Sequence, residues 1–576
     1  MNLLPFGQLA PYRVRTFVPQ NVDWFDWNQI ESLYDDLEQR IATTANIDDL
    51  ERWVLDLGEF CAALDEQSTR LYIAMTCHTD SEEAKADYLR FIEEIEPRIK
   101  PRQFKLSQLY VQNPFRKDLA HDRYFIYDRD TLLHVELFRE ENVPLQTEEA
   151  KLEQQYQELT GGLTVSFRGD EYTLVQMGKF FEEPDRELRR EAWELVSNRR
   201  LQEREKFEDI FDKLIDLRGQ IAKNAGFENY RDYAFRAKGR FDYTPEDCLQ
   251  FHEAVEAEVM PIVKLLQSER KRQLEVDALR PWDLAVDPLN RPPLKPFAEV
   301  EEMVEKTDRI FSRLDAGLAN GFRSMREMKL LDLDNRKGKA PGGYQSTLSE
   351  ARQPFIFMNS VGLQRDVETL LHEAGHAFHA IATRQEDIFD YRHAPIEFCE
   401  VASMAMELLA SPYLDEFYSE VEANRARKTH LEGIIGFFPW MATVDAFQHW
   451  IYTHPGHTRE ERTAAFQDLM DRFGGEVDYS GYEEIRGNFW HRQLHIFLSP
   501  FYYVEYGIAQ LGALQIWNNS IKSQPKALQD YQTALALGGS RPLPELFHAA
   551  GCSFKFDSAT IRPLMQLIRV ELDKLG

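Results

Sequence analysis

Apolar residues recur at three- and four-residue intervals through most of this sequence, and that spacing fits one kind of regular structure, the amphipathic helix. Residues 22–44, 47–66, 81–99 and 184–226 all carry the pattern with a charged opposite face. Helix starts are marked as well. At 244–247, Thr244 can cap, Pro245 suits the first helical position, and Asp247 stands where a capping-box acid belongs. Strand signals are few. Residues 163–175 alternate around Gly169 and predict a hairpin, with Arg168-Gly169-Asp170 as its turn. Residues 328–334, 342–348 and 354–360 predict a small sheet just ahead of residue 372. The proline-rich stretch 280–297 carries Trp282, Leu284 and Phe297, so it reads as an ordered connector. There is no internal repeat. With 576 residues, the chain is too long for one compact core and should divide into lobes or into one large multi-part domain.

One helical stretch breaks the rule that the inward face is apolar. Residues 370–379 read LLHEAGHAFH, with four ionisable side chains inside a hydrophobic run. His372 and His376 are four apart, so on a helix their rings project from one face about one turn from each other. That spacing lets two imidazoles hold one tetrahedral metal. Glu373 lies between them, turned to the side, where its carboxylate can reach a water on the metal.

Such a site needs a third protein ligand. The helical stretch 395–409 offers Glu397, Glu400 and Glu407. Glu400 and Glu407 are seven apart and share a face, with Glu397 one turn earlier. One carboxylate can serve the metal and another the outer nitrogen of a ligand histidine. Spacing leaves both Glu397 and Glu400 open as the ligand, and a solvated surface position is the simpler expectation for Glu397. His379 shares the histidine stripe but lies ~10 Å along the axis from His372, so it is expected beside the site rather than on the metal.

A net charge of −29 argues against nucleic acid and anionic membranes as partners, since both need a basic surface. No run of about 18 apolar residues predicts a membrane span, and the N-terminal stretch lacks the pattern of a signal peptide. The five cysteines are odd in number and without CxxC spacing, so reduced thiols and a cytoplasmic location are expected.

The HEAGH pentapeptide (372–376) followed by FCEVASMAMELL (398–409) resembles the zinc endopeptidases of the thimet oligopeptidase family, more closely the oligoendopeptidase F branch. Residues 230–248, 340–345, 354–379, 490–517 and 538–551 carry the same resemblance. It holds from about residue 160 onward. The resemblance implies a mainly α fold, two helical lobes around a deep channel, and a small β-sheet beside the HExxH helix. It further implies an N-terminal helical region at 1–190 and a catalytic metallopeptidase domain at 191–576. One zinc ion per chain would be held by His372, His376 and Glu400, with Glu373 as the base. His495 matches the family's site histidine and Tyr506 the tyrosine on the substrate carbonyl, with Tyr502 and Tyr503 as alternatives. Some relatives carry a further tyrosine near Ser499. Residues 342–345 and 354–359 resemble the strand region along which family substrates lie extended.

The function these readings imply is hydrolysis of internal bonds in oligopeptides by a metal-activated water, with Glu373 as general base and then general acid. No G-x-S-x-G motif offers a nucleophilic serine, and Cys399 is expected to be a packed thiol. Two rivals share parts of the pattern. A metallocarboxypeptidase on a similar helical scaffold would share the helix motif, and a non-catalytic peptide-binding protein would keep the fold but have no need of Glu373.

Overall fold

A computed structural model describes residues 3–575. Helices dominate it, and five short strands accompany them: β1 (Thr164–Phe167), β2 (Asp170–Thr173), β3 (Leu331–Asp334), β4 (Tyr344–Leu348) and β5 (Gln353–Ser360). The chain forms two compact units, each discontinuous in sequence. The first joins the segment up to Glu136 with Leu294–Arg427 and Ala509–Phe554. The second joins Leu137–Pro293, Lys428–Ile508 and the segment from Lys555. Compactness thus groups segments far apart along the chain, a separate matter from the sequence boundary expected at residue 190. Among the described residues, no helix is long and apolar enough to cross a membrane.

In the first unit, helices Trp27–Ala42 and Ile47–Cys77 are capped by the side chains of Asp26 and Asn46, which accept backbone N–H groups. Their apolar stripes close a core around Ile30, Tyr34, Leu37, Trp53, Phe60 and Tyr110. The Trp53 indole N–H donates to the Leu37 carbonyl at 2.9 Å, so its burial leaves no lost hydrogen bond. The expected small sheet has the order β3-β5-β4, with β3 parallel and β4 antiparallel to β5. Every side chain of β5 except Gln353 and Asn359 is buried, as suits a strand covered on both faces. This corrects one expectation: β5 is the central strand, its backbone paired on both sides, so of the stretches 342–345 and 354–359 only the one that enters β4 lies at an edge of the sheet.

Helix Gln364–Ala382, the motif helix, follows β5 after a short turn. The Asp366 carboxylate accepts the N–H groups of Val361 and Leu363 at 2.7 and 2.9 Å, which fixes the helix start. Helix Ile396–Ala410, the carboxylate helix, packs along it. Twelve of its fifteen residues are buried, more than an amphipathic surface helix would show.

In the second unit, β1 and β2 pair antiparallel through the two-residue turn Arg168-Gly169. Both turn residues have positive φ (54° and 98°), the requirement of a type I′ hairpin. The periodic stretch 184–226 divides into helices Arg186–Gln202 and Arg204–Asn224. The capping box on Thr244 is present with both of its hydrogen bonds. In the connector, Trp282 packs with Trp193 and Ile485. Buried Asp283 pairs with Arg186 and Arg189 at 2.7 and 3.1 Å.

Candidate metal centre

The motif helix is held by its own apolar residues. Val367, Leu370, Leu371, Ala374, Ala377 and Phe378 are buried, and Phe378 meets Phe311 edge-on at 4.9 Å between ring centres. Gly375, between the two histidines, lies close against the carboxylate helix. A Cβ there would stand 2.5 Å from the Ala402 carbonyl oxygen and 2.6 Å from Ser403 Cα. The Ala402 carbonyl accepts a hydrogen bond from buried Tyr531 at 2.7 Å. Two helices that touch backbone to backbone bring short side chains within reach of each other, and the site depends on that.

His372 and His376 leave this face with ring centres 5.0 Å apart and rings nearly perpendicular. Oε2 of Glu400 lies 3.4 Å from His372 Nε2 and 3.6 Å from His376 Nε2. One donor atom from each of the three residues falls within 4.8 Å of the others. The choice that spacing left open is thereby narrowed: Glu400, not Glu397, is the carboxylate beside both imidazoles. Glu397 is buried, against the expectation of a solvated surface group. Its neighbours Phe398 and Val401 belong to a helix enclosed on most sides, and burial there follows the helix rather than the charge.

Two of the three members have a second anchor. Ser403 donates to Glu400 Oε2 at 2.9 Å. Glu407, two turns further along the same face, lies 2.6 Å from His372 Nδ1. His379 is buried against Phe398 and Cys399. Cys399 Sγ lies 3.3 Å from the Ala394 carbonyl and 3.9 Å from His393 Nδ1. Burial opposes ionisation of this thiol, but His393 and His379 outweigh it and bring Cys399 down to about 6.

Electrostatics separate the four site groups. Burial raises Glu373 to about 7, only partly offset by His372 and by a hydrogen bond from the Gln345 backbone on β4. Burial lowers His376 to about 4, leaving a neutral ring with a lone pair to give. Burial also opposes the charge on His372, but its hydrogen bonds to Glu400 and Glu407 outweigh this and raise it well above the ordinary histidine range. Glu400 is held below the usual carboxylate range: burial acts upward, and His372, His376 and Ser403 act downward more strongly. Two nitrogens and one oxygen, with a carboxylate behind one ring, fit a zinc-type ion.

His495, Tyr502, Tyr503 and Tyr506 lie in the second unit and form a cluster of their own. Ring centres of Tyr502, Tyr503 and Tyr506 are 5.8, 4.9 and 6.0 Å from that of His495. All four are only partly buried, so none is a core aromatic. Gln493 Nε2 lies 2.8 Å from His495 Nδ1, and Lys238 sits over the Tyr502 ring at 5.2 Å. Burial, with Lys238 adding to it, lowers the His495 pKa.

Comparison with known proteins agrees with this picture. Residues 180–565 match peptidase family M3, and residues 17–138 match the peptidase M3 N-terminal domain. Oligopeptidase PepF of Bacillus subtilis (strain 168) is 26% identical over 300 residues, 51% of this chain and 43% of that protein. An oligoendopeptidase F homolog of Borreliella burgdorferi is 23% identical over 331 residues, 55% of this chain and 54% of the relative. The chain thus spans about half the length of these curated relatives. The solved structure of PZ peptidase A with an inhibitor superposes with a TM-score of 0.88 at 29% identity, over 97% of this chain and 99% of that one.

Proposed function

The chain belongs to peptidase family M3, and from that premise we propose that it is a zinc-dependent endopeptidase acting on oligopeptides. The observation that carries the reading is the convergence of His372 Nε2, His376 Nε2 and Glu400 Oε2 beside a carboxyl group raised to about 7. His372, His376 and Glu400 would hold the ion. When bound, zinc supplies Lewis acidity, which brings a water toward ionisation near neutral pH and polarises a peptide carbonyl.

The chain's own residues do the rest. Glu373 takes a proton from the attacking water and hands it to the leaving amine; a pKa near the working pH suits both transfers. Glu407 keeps His372 in the tautomer whose Nε2 faces the ion. β4, an outer strand of the sheet, offers backbone groups to an extended peptide, and its Gln345 N–H steadies Glu373. The resemblance gives His495 and Tyr506 the task of donating to the carbonyl oxygen as it gains charge, with Tyr502 and Tyr503 beside them. Tyr506→Phe is then expected to lower kcat far more than it raises KM.

The deciding experiment is cleavage of an acetylated, amidated, quenched fluorogenic oligopeptide, with and without a chelator, followed by zinc add-back. Internal cuts that vanish with chelator and return with zinc support the proposal. A peptide cut only when its C-terminus is free points to a carboxypeptidase instead. Binding without cleavage points to a peptide carrier, for which an intact Glu373 has no use.

A further inference from the structure

The second unit holds another cluster of metal-binding side chains, well away in sequence from the HEAGH run. Cys248 and His252 are four apart on helix Pro245–Glu258, and Asp445 and His449 are four apart on helix Glu420–Thr453. Each pair therefore projects from one face of its helix, by the same geometry that joins His372 to His376. The two faces meet. One ligand atom each from Cys248, Asp445 and His449 lies within 4.8 Å of the others. All four residues are buried, Cys248 and Asp445 completely.

The hydrogen bonding of this cluster is incomplete. His252 Nε2 lies 2.9 Å from Asp445 Oδ2 and accounts for that oxygen. Asp445 Oδ1 has no hydrogen-bond partner, and neither has either ring nitrogen of His449. His449 Nε2 stands 3.2 Å from Asp445 Oδ2 without the alignment of a hydrogen bond. Phe235 and Phe501 wall the His449 ring at 5.8 and 5.3 Å between ring centres. Among the described residues, the ion-pair partners of Asp445 are two imidazoles, with no lysine or arginine. A fully buried carboxylate with an orphan oxygen beside an orphan imidazole is costly unless a cation sits among them.

We propose that Cys248, Asp445 and His449 form a second, buried metal site taking a divalent transition ion of the zinc class, with His252 holding the carboxylate from outside. Thiolate, imidazole and carboxylate together favour zinc or cobalt over magnesium or calcium, which prefer all-oxygen sites. Binding releases the Cys248 thiol proton to solvent and forms the metal–sulfur bond in its place. The site is enclosed, so its task is structural: it joins helix Pro245–Glu258 to helix Glu420–Thr453. This assignment does not depend on the peptidase reading.

Cobalt titration of the metal-stripped full-length chain tests it. A thiolate ligand gives Co2+ an intense near-ultraviolet charge-transfer band, whereas the His372, His376 and Glu400 donor set contains no sulfur. The expected result is two equivalents bound, with the band following only one of them. The band should survive in a His372→Ala/His376→Ala double variant with one equivalent left, and in Cys399→Ser. It should vanish in Cys248→Ser, with stoichiometry falling from two to one. Should Cys248→Ser fail to fold, the double variant and Cys399→Ser still decide. A single equivalent without the band in the unsubstituted chain overturns the proposal, as does a band lost in Cys399→Ser or retained in a folded Cys248→Ser.

Discussion

Oε1 of Glu407 lies 2.6 Å from Nδ1 of His372, on the side of the ring opposite Glu400. A proton on Nδ1 leaves Nε2 with its lone pair facing the site, and the hydrogen bond fixes the ring plane. Partners of this kind raise metal affinity without touching the metal. Glu407→Ala is therefore expected to weaken zinc binding by about 10- to 100-fold while leaving the fold intact. Competition with a chromophoric chelator measures this; an unchanged affinity would mean that Glu407 orients nothing.

Glu373 is buried and accepts the Gln345 N–H. Glutamine preserves shape and acceptor but cannot take a proton. Glu373→Gln should keep its metal and its unfolding midpoint, while peptide hydrolysis falls by about 10²- to 10⁴-fold. Turnover within a few-fold of the unsubstituted chain would remove the general-base assignment.

Gly375 carries no side chain because none fits. The atoms a Cβ would strike, the Ala402 carbonyl and Ser403 Cα, are backbone and cannot swing aside. Gly375→Ala must push the carboxylate helix away, at about 1–3 kcal/mol for overpacking, and must carry Glu400 off with it. Urea unfolding and zinc content should both fall. Gly219→Ala is the control. That glycine also lies in a helix, but nothing stands within 4 Å of the added Cβ, so a gain of up to about 1 kcal/mol is expected.

These residues also mark where the sequence is legible. His372, His376 and Glu373 could be read directly, because a four-residue spacing becomes a shared helix face whatever the surroundings. The pairing of Glu400 with Glu407 on one face followed from the same periodicity. Distinguishing Glu400 from Glu397 did not, since the two differ by one turn and only the packing angle of two helices separates them. The burial of Glu397 was missed for that reason, and so was the role of Gly375: a close approach belongs to a pair of helices, and neither sequence shows it alone. The order β3-β5-β4 was likewise invisible, because strand neighbours are set by connections across the sheet. The Cys248, His252, Asp445 and His449 cluster lay nearly 200 residues apart, but each half shows the same four-residue spacing, a signal that could have raised it.

The sheet beneath the motif helix rests on a buried ion pair with a predictable pH limit. The Lys339 side chain is fully buried, and its ammonium donates to Asp332 Oδ1 at 3.0 Å and to the carbonyls of Asp334 and Met358 at 2.7 and 2.5 Å. Arg336 grips the same carboxylate at 2.5 and 2.7 Å. Burial pushes the Asp332 pKa up, but Arg336, Cys77 and Lys339 outweigh it and hold it at about 2. An unfolded aspartate titrates near about 4, so the folded value is the lower one. The pair's contribution is then fully present above about pH 4 and is lost as pH falls through about 2. Asp332→Asn leaves Lys339 buried without its counter-charge and should cost about 3–5 kcal/mol at pH 6. Because acid protonates Asp332 in the unsubstituted chain too, the gap between the two proteins should narrow between pH 4 and pH 2. Guanidinium unfolding midpoints at several pH values measure the gap; one that stays constant into the acid range would show that the carboxylate's charge does not hold the sheet.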